Sequence, residues 1–199
     1  MSSTDTPDHP DIAALAVQAP GPGPAPVITA DEIARTHKVR SRISHTQRDW
    51  FIRTAVDAPW AAVPIEAQLA DADPNISGEL YGRAEALYDH FRTAAPRHVG
   101  VAKISKVLHL KRPGLFPIPD SKVMAFCLHP ARAAAARYPH RGRRAMFWAA
   151  IRDDVCTHLD TGAIPLFRCR LEQAETEQVR RIATLTDVRL LDLLTWAIA

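Results

Sequence analysis

The chain has 199 residues, 47% of them hydrophobic and 24% charged, which suits one domain with a sizeable core. No apolar run approaches the roughly 18–20 residues of a membrane span, and the start MSSTDTPDHP lacks the basic opening and apolar stretch of a secretory signal. Cys127, Cys156 and Cys169 make no Cys-x-x-Cys pair, which argues against a disulfide framework or a zinc site and fits a reducing, cytoplasmic setting.

Residues 1–27 hold six prolines, among them Pro20, Pro22, Pro24 and Pro26, with Gly21 and Gly23 between them. So few large apolar side chains cannot offset ordering entropy, and a disordered tail is expected. Residues 28–199 are then expected to form a single all-α domain, a compact multi-helix bundle. Thr29 followed by Asp31 and Glu32 reads as the cap of a helix with Ile33 and Val39. A second helix takes Trp50, Phe51, Ile52 and Val56. Pro64 suits the first position of a helix with Ile65 and Leu69. Ser77 is the expected cap of a longer helix, in which Leu80, Ala84, Leu87 and Phe91 recur at helical spacing. A connection over 95–100 leads into a helix over 101–110. Pro113, Gly114, Pro117 and Pro119 make a stiff loop, and another helix starts near Asp120, with Pro130 ending it or beginning the next. Residues 142–159 and 186–198 read as helices, the last apolar on most sides and expected in the core. Strand-like alternation is absent, as is any long repeat.

The charge is unevenly spread. Residues 91–152 hold thirteen basic residues and one carboxylate, Asp120, for a formal +12; the remainder of the chain carries −9. A run so poor in carboxylates is weakly screened from within and is expected to meet a polyanion. A solvated basic face, or pairing with an acidic protein or with the chain's own acidic half, are the alternatives.

Within it, residues 97–126 read RHVGVAKISKVLHLKRPGLFPIPDSKVMAF. Gly100 is expected to make a tight turn that lets backbone amides approach an anion at the start of the next helix. Lys103 and Lys106, three apart, share a face of that helix and are expected to meet phosphate. Asp120 is an ordinary N-cap or a functional carboxylate. No metal-ligand spacing, nucleotide-binding glycine loop or cofactor motif is present. The four tryptophans are most simply core residues, although Phe147 or Trp148, after Arg143 and Arg144, could stack on a base.

These residues resemble the helix-hairpin-helix DNA glycosylases. Val99-Gly100 resembles the second half of that superfamily's hairpin, with His98 where the first glycine would stand. Phe116-Pro117-Ile118-Pro119-Asp120 resembles the segment bearing its catalytic aspartate. At the position of the lysine of bifunctional members stands Ala102, two residues after Gly100 and eighteen before Asp120. The resemblance implies DNA as partner and monofunctional hydrolysis of the N-glycosidic bond of an aberrant base, without cofactor or metal. Asp120 would be catalytic, and Gly100, Lys103, Lys106, Lys111, Arg112 and Lys122 would contact backbone phosphates. The alternatives are a non-enzymatic helix-hairpin-helix DNA-binding module and an interaction protein with an acidic partner. Residues 105–121 and 188–199 also resemble an uncharacterised family of actinobacterial-type proteins.

Overall fold

The computed structural model describes residues 27–39, 41–119, 121–142 and 145–198. Apart from Val27, the tail therefore lies outside the described residues. Among these, every regular element is helical and no strand forms. The α-helices are α1 (Ala30–Arg35), α2 (His45–Val56), α3 (Leu80–Thr93), α4 (Val101–Lys111), α5 (Ser121–Phe126), α6 (Leu128–Arg137), α7 (Ala145–Asp160), α8 (Ala163–Glu172), α9 (Glu177–Ile182) and α10 (Asp187–Ile198). Short 3-10 turns occupy Thr36–Val39 and Trp60–Ala62. No helix among the described residues is long and apolar enough to cross a membrane.

Local chemistry sets the helix starts. Thr29 caps α1 in a reciprocal box: its hydroxyl accepts from the Glu32 amide at 3.2 Å, while a Glu32 carboxylate oxygen accepts from the Thr29 amide at 2.8 Å. Ser44 and Gln47 repeat the device at α2. The longer helix begins two residues later than Ser77 suggests. Gly78 turns left-handed at φ +75° and Glu79 stands at the N-cap without a side-chain bond, so the chain cannot enter the helix earlier. The helix expected after Pro64 does not form. Residues 64–79 are turns, because the Leu69 amide donates to the Gly114 carbonyl at 2.8 Å and buries Leu69 against the proline loop.

Helices α1 to α4 pack on one another, α6 to α9 pack in sequence, and α10 lies on α5 and α7. Tyr81, Ala84, Leu87, Tyr88 and Phe91 form the buried stripe of α3. Phe91 meets Trp60 and Phe51 with ring centroids 5.8 and 6.1 Å apart. Trp148 of α7 meets Tyr88 and Phe116 edge-on at 5.2 and 5.3 Å, which ties both groups of helices to the loop after α4. From Ile104 to Lys111 every residue of α4 is buried, so this helix is surrounded rather than amphipathic.

Candidate functional site

The cations of the basic segment fall into distinct environments, and the expected phosphate-binding face does not assemble from α4. Lys111 is 1% exposed and its ammonium meets the buried Glu32 carboxylate at 2.8 Å. Arg112 is 2% exposed, lies over the Trp60 ring at 5.3 Å, and donates to the carbonyls of Val63 (2.7 Å), Lys111 (2.8 Å) and Trp60 (3.4 Å). Lys106 is buried too and donates to the Val39 carbonyl at 2.8 Å. These three assignments are corrected: their helix is a core element, and charge at such positions is retained only where fully hydrogen-bonded or ion-paired. Lys103, one turn nearer the helix start, is half-buried and donates to Gln47 Oε1 at 2.7 Å, and burial lowers its ammonium below the usual lysine range. Asp120 lies outside the described residues, as do the side chain of Lys122 and the whole of Arg143 and Arg144.

Gly100 is the N-cap of α4, with an extended backbone and open space where a Cβ would stand. The left-handed residue of the turn is instead His98, at φ +67°, and the Val99 amide closes that turn onto the Pro96 carbonyl at 3.0 Å. The exposed residues Val101 and Ala102 open α4, where first-turn amides point out of the helix end.

Four of the other described cations of the segment pair with carboxylates from outside it. Arg141 pairs with Glu85 at 2.6 Å and stacks over Tyr81 at 4.9 Å. Arg137 pairs with Asp153, which also meets Arg152 at 3.5 Å, and Arg92 lies 3.8 Å from Asp89. Arg97 and Arg132 are exposed. Pairing with the chain's own acidic residues, one of the alternatives open from the sequence, is thus realised for these four side chains and for Lys111.

Where α3 faces the start of α7 the surface opens into a cleft of about 570 Å³. Glu85, Tyr88, Asp89 and Arg92 of α3 line one side; Ala145, Phe147 and Trp148 of α7 line the other. Val101, the first residue of α4, and Pro119 and Met124, which flank the start of α5, complete it. The lining is mostly apolar with a few charged groups, as ligand pockets tend to be. Tyr81, behind this wall, donates its hydroxyl to the Ala145 carbonyl, and its burial, together with the Glu85 charge, pushes the phenol up.

Sequence reasoning singled out Phe147 and Trp148 but missed the α3 side. The signal was there, since Glu85, Asp89 and Arg92 follow at helical spacing on a helix whose other face carries Leu87 and Phe91. Among the described residues no group of three or more His, Cys, Asp or Glu is placed to hold a metal ion.

Residues 52–199 match the model of a family described as of unknown function, DUF6308. No curated protein and no solved structure matches the chain. None of these comparisons supports the likeness of residues 97–126 to glycosylases.

Proposed function

The chain belongs to DUF6308, a family of unknown function, and we propose from its cleft that it binds DNA and takes one unstacked base between α3 and α7. The supporting observation is the cleft itself: an aromatic wall of Tyr88, Phe147 and Trp148, carboxylates at Glu85 and Asp89, and Pro119 one residue before Asp120. A base leaving its stack costs a few kcal/mol and is repaid by aromatic contact and hydrogen bonds to its edge. The phosphates are assigned to Gly100 and the exposed start of α4, to Arg92 and Arg97, and to Lys103, Lys122, Arg143 and Arg144, with Lys106, Lys111 and Arg112 removed from the footprint.

The chemical form of the proposal gives Asp120 the stabilisation of positive charge on the sugar as the N-glycosidic bond breaks. Water adds its oxygen to C1′ and gives up a proton, and the base departs having gained one. No lysine stands at the lyase position, so the sugar–phosphate chain stays intact.

A specific observation favours a second reading. Five of the segment's cations pair internally, which is what a basic segment serving only the fold would do. Fluorescence anisotropy with a duplex oligonucleotide separates the two. Contacts to four to six phosphates give log affinity against log salt a slope of about −4 to −5; absence of retention at low salt removes the DNA reading. Asp120→Asn then divides enzyme from module: base release lost with binding kept supports catalysis, and an unchanged product profile removes Asp120 from it.

A further inference from the structure

We infer that Asp192, on the C-terminal helix and outside the cleft, is the positioning residue that holds the cleft wall at Pro119; this rests on the base-in-cleft reading. The loop between α4 and α5 is anchored through its main chain by side chains from two helices. Thr186 donates its hydroxyl to the Pro113 carbonyl at 2.9 Å, and His109 Nδ1 meets the Phe116 carbonyl at 2.8 Å. The third anchor is of the opposite polarity, because the Ile118 amide donates to Asp192 Oδ2 at 3.1 Å. Pro117 and Pro119 carry no N–H, so Ile118 owns the one amide in the last three residues before Asp120. Asp192 takes that donor, and Pro119, the next residue, lines the cleft.

Asp192 is itself fixed. It is 3% exposed, and Arg189, one turn earlier on α10, approaches it at 3.4 Å. A buried carboxylate is costly to desolvate and worth keeping only where its lone pairs are used. Bond and burial together make α10 a brace whose removal lets residues 117–119 drift. Sub-ångström placement of a wall is what such a pocket depends on.

The test uses the full chain and a duplex carrying 2-aminopurine, whose emission rises when it leaves the stack. Asp192→Leu removes the acceptor and Asp192→Ser, one atom shorter, withdraws its hydroxyl oxygen from the Ile118 amide; Asp192→Asn keeps an oxygen in place. The expected result is at least a tenfold loss of the unstacking signal in Ser and Leu variants, with DNA affinity within about twofold of wild type and recovery in Asn. Hydrogen exchange at the Ile118 amide should quicken at least tenfold in the Ser variant and stay near wild type in the Asn variant, whether or not the Leu variant folds. An unchanged Ile118 exchange rate in the Ser variant overturns the inference, as does an Asn variant as impaired as Ser. Silence of 2-aminopurine with wild-type protein overturns the base-in-cleft reading instead, and Ile118 exchange still decides the brace.

Discussion

Replacing Lys111 by Met separates a core strut from a phosphate contact. The ammonium is 1% exposed and 2.8 Å from Glu32, whose side chain is 6% exposed. Taking away one member of so buried a pair leaves an uncompensated carboxylate and costs about 3–5 kcal/mol. Glu32 keeps its bond from the Thr29 amide and a weaker approach from Arg35 at 3.9 Å, which argues for the lower half of that range. Against a total stability of about 5–15 kcal/mol the loss is severe, equivalent to a fall in Tm of roughly 6–16 °C for a chain of this size. Urea and thermal unfolding followed by far-ultraviolet circular dichroism measure it. Combining Lys111→Met with Glu32→Gln, which preserves the capping box, should recover most of the loss, because no charge is then stranded. A Lys111→Met protein whose Tm stays within about 2 °C of wild type, but whose DNA affinity and salt slope fall, would refute the reasoning and return Lys111 to the phosphate contacts.

Other expectations follow from the same structure. Arg112→Lys should cost about 2–3 kcal/mol in urea unfolding, since an ammonium cannot reproduce a guanidinium fork serving three carbonyls and stacked on Trp60; a change below about 0.5 kcal/mol would be that of an ordinary surface site. His109 is held down to about 3 by burial first and by the Arg189 charge second, opposed by its bond to the Phe116 carbonyl. Its folded value lies below the unfolded one, so the unfolded chain binds the extra proton and stability falls as pH drops from about 6.5 towards 3. Between pH 7 and 4.5 that amounts to about 2–3 kcal/mol, and His109→Gln, still able to donate to Phe116, should lack this part of the acid limb when urea midpoints are compared. Burial, followed by the charges of Asp154 and Asp192, pushes the Cys127 thiol up to about 11, whereas Cys169 is exposed. Iodoacetamide at pH 8 should therefore label Cys169 first by peptide mass mapping, and equal rates would contradict the placement of α5 and α6.

The parts of the fold that were legible are those where one local rule acts alone. The Thr29 box, the α3 stripe and the proline break after α4 each follow from neighbours in sequence. The turns over 64–79 were not legible, because a hydrogen bond from Leu69 to Gly114 across the fold outweighs Pro64's preference for a helix start. Helices α8 and α9 were not foreseen, and α4 was misjudged for a related reason. Lys103 and Lys106 sit at helical spacing as they would on an outward face, yet α1, the 3-10 turn after it and the Trp60 turn supply carboxylate and carbonyl acceptors that draw Lys111, Lys106 and Arg112 inward. Polar residues inside a helix do not announce such distant acceptors. Of the cleft, Phe147 and Trp148 could be named beforehand, whereas Glu85 and Asp89, though at helical spacing, give no sign in the sequence that α7 stands opposite them.

Among the described residues, each carboxylate that pairs with the basic segment, Glu32, Glu85, Asp89 and Asp153, lies outside residues 91–152. Excising that stretch would strip away its counterions and leave a polycation adherent to heparin, RNA or glass alike. Retention of such a fragment on DNA would report the cut, and a gel shift becomes informative only when the intact polypeptide, neutralised by its own acids, still moves the probe.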